Sequence, residues 1–284
     1  MTGRTRAALA AVVGCGAAAI ALPATGAGVV AGSAPTGGTA PGAPAGFALV
    51  EPSVSPAKAY FAGRRVVVRF GVDAPAAVAL RLDVVREATR TPVIAFALPA
   101  AAPGVVQRVR WDGLTGAGTV APNGRYRMRV VAADGSARNA GRVELRSHVY
   151  PIRGRHADRG PIGRFGVPRS GGRTHEGFDV DAACGTPLVA ARGGVVRRAD
   201  YDPVLYGNRV IIRGARTTRD YWYAHLLHRP RLKAGDRVAT GQRIGSIGAT
   251  GNARTIGCHL HLEIRSQGRP IDPAPDLHAW DGWS

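Results

Sequence analysis

Three short stretches hold side chains able to bind a metal ion or move protons: His175-Glu176-Gly177-Phe178-Asp179, Tyr223-Ala224-His225-Leu226 and His259-Leu260-His261-Leu262-Glu263. On a strand, residues two apart point the same way. His259 and His261 therefore project together, with Leu260 and Leu262 turned toward a core. Two imidazoles and a carboxylate around one point form a zinc set, with three protein ligands and a fourth position open to water. Gly177 would let the chain bend between His175 and Asp179 so that both reach one ion. Taken singly, a His-x-His pair is as often structural as ligating, and His-x-x-x-Asp is weaker evidence still. Their co-occurrence with a third histidine, His225, in a Gly-rich segment is hard to explain by packing. Glu263 shares the face of the His pair, where it either supports a ligand from behind or simply faces solvent. His148, His156, His228 and His278 read as surface or packing residues.

The elements that must position these groups read as short strands and turns. Gly and Pro are abundant, 39 and 20 of 284 residues, which suits β structure better than helix bundles. Leu80, Leu82 and Val84 alternate with Arg81 and Asp83. Tyr126, Met128 and Val130 alternate with Arg125, Arg127 and Arg129, and Val143 and Leu145 with Arg142, Glu144 and Arg146. Period-2 alternation marks half-buried strands. Several such segments, broken by turns such as Pro122-Asn123-Gly124, predict an antiparallel sandwich over residues 47–148. The stretch from Trp111-Asp112-Gly113 to Asn123-Gly124-Arg125-Tyr126 resembles the Ig-like domain of bacterial flagellar hook-cap proteins. Residues 149–284 are also turn-rich and β-like. The expected fold is all-β, an Ig-like antiparallel sandwich followed by an antiparallel β-sheet domain that carries the histidines.

The formal charge is +19, and all but two of the 38 basic residues are Arg, spread over both halves. Arg is always charged and grips carboxylates and phosphates in a planar fork, so an anionic partner is expected. With 45% hydrophobic and 20% charged residues, the composition excludes a wholly disordered chain, a coiled coil, a collagen and a multi-span membrane protein. Arg4 and Arg6 precede an apolar run from Ala7 to Leu22 and a small-residue stretch to Ala27. That is the pattern of a secretory signal peptide over residues 1–27, and the run is short for a membrane span. Val12-Val13-Gly14-Cys15 also resembles a lipoprotein cleavage box, although the apolar run continues past Cys15 and favours simple export. Residues 28–46 read as a flexible Gly/Ala/Pro linker. Export leaves Cys184 and Cys258 in an oxidising compartment, where a single disulfide is expected. Cys258 faces away from His259 on a strand, which argues against its being a ligand.

From about Gly166 to Pro273 further motifs follow in order. Ala182-Ala183-Cys184-Gly185-Thr186-Pro187 comes after the first His, and Gly207-Asn208 precedes Val210-Ile211-Ile212. After His225 come Gly235-Asp236, Val238, Gly241-Gln242, Ile244-Gly245 and Thr250-Gly251. Ile271-Asp272-Pro273 follows the His pair. Together with the three stretches above, they resemble the lysostaphin-type zinc endopeptidases, the M23 family of cell-wall hydrolases. The resemblance implies Zn²⁺ held by His175, Asp179 and His261, with His225 and His259 as active-site histidines that do not ligate. It implies attack of a metal-activated water on peptide bonds of peptidoglycan. His259 would take the water's proton, and His225 would donate to the oxyanion or orient the base; the division between the two stays open. Some relatives carry a Tyr shortly before the first His, and this chain has none between Arg169 and Thr174; Arg169 or Arg173 could replace it.

The partners expected are a peptidoglycan peptide and anionic cell-envelope polymers, with no obligate protein partner. A nucleic-acid role would account for the charge but not for the signal peptide, and 6% aromatic content offers no obvious stacking platform. The hairpin from Lys233 to Gly245 resembles biotinyl and lipoyl carriers, which need a Lys flanked by Met; Met1 and Met128 are far away. The other reading is a catalytically silent M23-like wall-binding protein or an activator of another hydrolase. Loss of a ligand would signal it, and none is lost.

Overall fold

Alternating apolar and polar residues commit most of this chain to strands, because one face of a pleated sheet is buried and the other is not. The computed structural model describes residues 46–283, so the expected signal peptide, Cys15 and nearly all of the linker lie outside the described residues. Eight strands come first: β1 (Ala48–Ser55), β2 (Lys58–Tyr60), β3 (Val66–Asp73), β4 (Leu80–Arg86), β5 (Pro92–Ala97), β6 (Gln107–Trp111), β7 (Gly124–Ala132) and β8 (Ala137–Arg146). They form a three-stranded sheet in the order β1-β3-β6 and a five-stranded sheet in the order β2-β8-β7-β4-β5. Val66, Val68 and Phe70 of the first sheet and Leu82, Val84, Met128 and Val130 of the second share one core. At its centre Trp111 and Tyr126 lie 5.0 Å apart, ring to ring. Both bury a donor and satisfy it: Trp111 Nε1 donates to Leu114 O and the Tyr126 hydroxyl to Pro122 O, each at 2.7 Å.

Two details depart from the simple alternation. Asp83 is buried although it lies opposite the core face, where it accepts from Arg81 Nε at 2.9 Å. The short β2 pairs with β8 in parallel, the exception to an otherwise antiparallel set among the named strand pairs.

The second set of strands is β9 (His156–Asp158), β10 (Phe178–Ala182), β11 (Pro187–Val189), β12 (Gly194–Asp202), β13 (Gly207–Gly214), β14 (Arg219–Leu226), β15 (Arg237–Val238), β16 (Arg243–Ser246), β17 (His259–Ser266) and β18 (Arg269–Ile271). Seven of them make a sheet in the order β15-β12-β13-β14-β17-β10-β9, with β18 on β17, while β11 and β16 pair separately. Phe178, Val180, Tyr221, Tyr223, Leu260, Leu262 and Ile264 turn inward from β10, β14 and β17 into a second core. A helix, α1 (Ala274–Asp281), closes the chain and buries Leu277 and Trp280. Its signal was present but short, since prolines at 273 and 275 open a first turn and two apolar residues three apart follow it. The class is all-β, and the described residues form part of one compact unit. Among them no helix is long and apolar enough to cross a membrane.

Cys184 and Cys258 are joined, with 74 residues of sequence separation between them. The bridge ties the turn after β10 to the residue before β17, and those two strands hold the central residues of the candidate site. A loop of this length corresponds to about 4 kcal/mol of lost unfolded-state entropy. Replacing both cysteines by serine is expected to lower the unfolding free energy by about 2–4 kcal/mol. Urea denaturation of oxidised protein measures it, and an unchanged midpoint would refute the stapling role.

Candidate metal centre

Register alone brings the first two candidates together. In the antiparallel pair β10–β17, Asp179 sits directly opposite His261, and Asp181 opposite His259. Facing residues in such a pair share a face, so Asp179 and His261 rise on the side away from Leu260 and Leu262. His175 arrives from the loop before β10, anchored by backbone hydrogen bonds that pair it with Gly166 and Val167. The chain bends at Gly177 as expected, bringing His175 and Asp179 together, and a close approach makes glycine necessary there as well. A Cβ at that position would lie 2.5 Å from Leu262 O and 2.7 Å from the His261 ring. The glycine lets the loop lie flat against the imidazole.

His225 needs backbone strain. Ala224 faces His261 across β14–β17, so plain alternation would send His225 into the core with Tyr223. Instead His225 adopts φ 62°, a left-handed conformation that costs a non-glycine residue about 1–3 kcal/mol. It is held there by its N–H to Tyr206 O and by its Nδ1–H to Thr250 O, both at 2.8 Å. The turn swings the ring to within 4.7 Å of the His259 ring and 5.8 Å of the His261 ring, centroid to centroid.

Hydrogen bonds decide which nitrogen of each imidazole is free. A backbone carbonyl only accepts, so His175 Nδ1 carries a proton for Arg164 O at 2.8 Å, leaving Nε2 with its lone pair. His261 donates from Nε2 to the Glu263 carboxylate at 3.1 Å, leaving Nδ1. These two nitrogens and Asp179 Oδ1 then lie mutually within 2.9–3.0 Å. Three buried lone pairs aimed at one another are stable only around a proton or a cation. Burial works against charge on His261, yet hydrogen bonds to Asp179 and Glu263 outweigh it and carry the ring up to about 9. Burial likewise raises the Asp179 carboxyl, but hydrogen bonds from His175 and His261 win and hold it well below the usual range. The donor chemistry, two neutral imidazoles and one carboxylate, fits zinc, and these three residues form a possible metal-holding group among the described residues.

His259 donates Nδ1–H to Gly257 O at 2.9 Å and keeps its Nε2 free, 4.0 Å from Asp179 Oδ1. Burial pushes both remaining imidazoles down, His225 to about 3, so neither carries a proton on Nε2 at neutral pH. All five expected residues line one cavity of about 680 Å³. Arg169 lines it too, and its guanidinium donates to Asp179 Oδ2 at 3.3 Å.

The solvent-facing alternative for Glu263 is overturned, since the residue is 1% exposed. Arg265 Nε donates to its second oxygen at 2.7 Å, and the guanidinium lies 4.3 Å over the Trp222 ring while also pairing with Glu176. Tyr206 completes the cluster, and the sequence reading missed it. Burial and the nearby Glu263 charge push its hydroxyl up. The only hint was its place just before Gly207-Asn208. Glu263→Gln keeps the shape of this cluster but removes the charge that fixes the His261 tautomer. Zinc affinity is expected to fall roughly 10–100-fold, as read by competition with a chromogenic chelator; unchanged affinity would mean that Glu263 serves only the fold.

An all-β domain with a buried His-Asp-His donor set beneath an open cavity is the class that fold and site define. Residues 173–273 match the model of Peptidase family M23. The Lipoprotein NlpD/LppB homolog of Pseudomonas aeruginosa is 39% identical over 114 residues, which are 39% of this chain and 35% of that protein. The Peptidoglycan DD-endopeptidase ShyC of Vibrio cholerae is 43% identical over 101 residues, 36% of this chain and 22% of that protein. The lysostaphin catalytic domain of Staphylococcus simulans aligns at 29% identity with a TM-score of 0.38, covering 44% of this chain and 92% of that one. The chain thus spans about a third or less of the length of these two curated relatives.

Proposed function

We propose that this protein is an exported zinc metalloendopeptidase that hydrolyses peptide bonds in bacterial peptidoglycan. The observation that carries the reading is the convergence of His175 Nε2, Asp179 Oδ1 and His261 Nδ1 within 3.0 Å, with both imidazole tautomers set by protein acceptors. Those three residues would hold the ion. When bound, zinc supplies a Lewis acid and lowers the pKa of a water from 15.7 to about 7.

The chain's own groups do the rest. His259, with Nε2 unprotonated and close to Asp179, accepts the proton of the attacking water and returns it to the leaving amine. The His225 ring lies beside those of His259 and His261 and would orient the reacting groups. Arg169 neutralises the outer oxygen of Asp179. The open cavity admits a peptide strand across the centre. Residues 47–148 we read as an Ig-like sandwich, in keeping with two sheets over one core and a Tyr126 hydroxyl bonded four residues back. The Arg-rich outer faces of its strands would dock on anionic envelope polymers.

Metal analysis and hydrolysis of purified peptidoglycan test the proposal together. About one zinc per chain and newly released amino groups, both lost on chelation, are expected. Bound zinc without hydrolysis, in the full chain and in residues 149–284 alone, would favour the silent wall-binding or activator reading. Absence of zinc would overturn the enzyme.

A further inference from the structure

Away from the zinc ligands, a second cavity of about 570 Å³ opens between the Pro122-Asn123 turn, the β13–β14 turn and helix α1. Four guanidiniums line it, from Arg86, Arg192, Arg216 and Arg219, and no acidic residue does. Arg219 is paired with Asp276 at 2.7 Å. Arg86, Arg192 and Arg216 form no ion pair among the described residues. Arg192 is 3% exposed. It donates to Ser147 O and Ala215 O, yet its Nε is buried without a hydrogen-bond partner, and so is the Nε of Arg86. Unmet buried guanidinium nitrogens also occur at Arg127, Arg146 and Arg159, but each of those cations has a carboxylate partner, whereas Arg86 and Arg192 have none among the described residues. His148 is stacked on Trp280 in the same wall. Burial and the charges of Arg192 and Arg219 push its imidazole down to about 3, so it adds no charge and no repulsion of its own.

We infer that this cavity is an anion subsite that takes a phosphate group. Arg86, Arg192 and Arg216 together exceed what one carboxylate neutralises, whereas a phosphate offers up to two charges and several acceptor oxygens for guanidinium forks. Trp280 and Trp283 give the apolar wall that a sugar or glycerol body attached to the phosphate would lie against. The site is distinct in residues from the zinc centre and needs none of its ligands, so it stands or falls independently of the peptidase reading. Its place between the two sheet systems makes it suited to holding a phosphate-bearing envelope component while the other cavity works on peptide.

The test is calorimetric titration of inorganic phosphate into the full chain after metal removal and desalting, so that no metal ion holds the anion. Arg86→Gln/Arg216→Gln removes two half-exposed or exposed guanidiniums without touching the structural bonds of Arg192. As a matched control, Arg108→Gln/Arg110→Gln removes the same charge from β6. Saturable binding is expected, weakened about tenfold or more by the first pair, as befits lost hydrogen bonds to a charged group, and less than about twofold by the second. Equal weakening by both pairs would reduce the effect to diffuse charge and overturn the site, as would the absence of saturable binding. Two further arms name the source. A glycerol-phosphate oligomer bound more tightly than inorganic phosphate, and lost in Arg86→Gln/Arg216→Gln, supports a phosphodiester polymer. Co-sedimentation with phosphatidylglycerol vesicles lost in the same variant supports a lipid headgroup.

Discussion

Replacing His261 by alanine is expected to strip the centre of metal and abolish hydrolysis while leaving the fold in place. His261 Nδ1 stands 2.9 Å from both His175 Nε2 and Asp179 Oδ1, so it is the shared member of the donor set. Without it one imidazole and one carboxylate remain, and affinity should drop by more than the roughly 10–100-fold that loss of an outer hydrogen-bond partner costs. The surroundings can tolerate the deletion. Glu263 keeps its bond from Arg265 at 2.7 Å, and Asp179 keeps His175 and Arg169. Neither carboxylate is stranded, which is the usual reason that removing one partner of a buried pair unfolds a protein. Metal analysis of the purified variant, with circular dichroism to confirm folding, settles the matter. One zinc per chain retained in a folded His261→Ala protein would mean the ion is held elsewhere.

Legibility of the site in the sequence followed the length scale of each cause. The His259/His261 pair could be read because a strand repeats every two residues, and cross-strand register then delivered Asp179 opposite His261. The disulfide partners could be read because the expected export would leave two thiols in an oxidising compartment. His225 could be named from its motif, yet its route to the site could not, since the swing depends on φ 62° at a non-glycine and on acceptors at 206 and 250. Gly177 was legible only in part: its bend could be read from the spacing, but its close approach to the His261 ring is a tertiary fact. Tyr206 acts on Glu263 from the turn before β13, where no local spacing announces it, whereas Arg265 shares β17 with Glu263 two residues on and was within reach of the same period-2 reading. The N-terminal strands followed their alternation well, and the C-terminal helix escaped because eight residues give too little periodicity.

His259→Ala is expected to keep about one zinc per chain and to lose roughly 10²–10⁴-fold in turnover. The argument separates it from His261 by geometry rather than by position in the motif. Both residues face the same side of β17, but His259 Nε2 approaches only Asp179 Oδ1, at 4.0 Å, and its Nδ1–H is spent on Gly257 O. That leaves one basic nitrogen directed at the centre without membership of the close donor triad. The companion variant is His225→Asn, because asparagine tolerates the left-handed backbone that alanine would strain. If the two histidines act on the same proton, the double variant should be little worse than the poorer single one, since residues that act as a unit are far from additive. If they act separately, the losses should multiply. Release of zinc by His259→Ala would reverse the assignment of ligand and base, placing His259 rather than His261 on the metal.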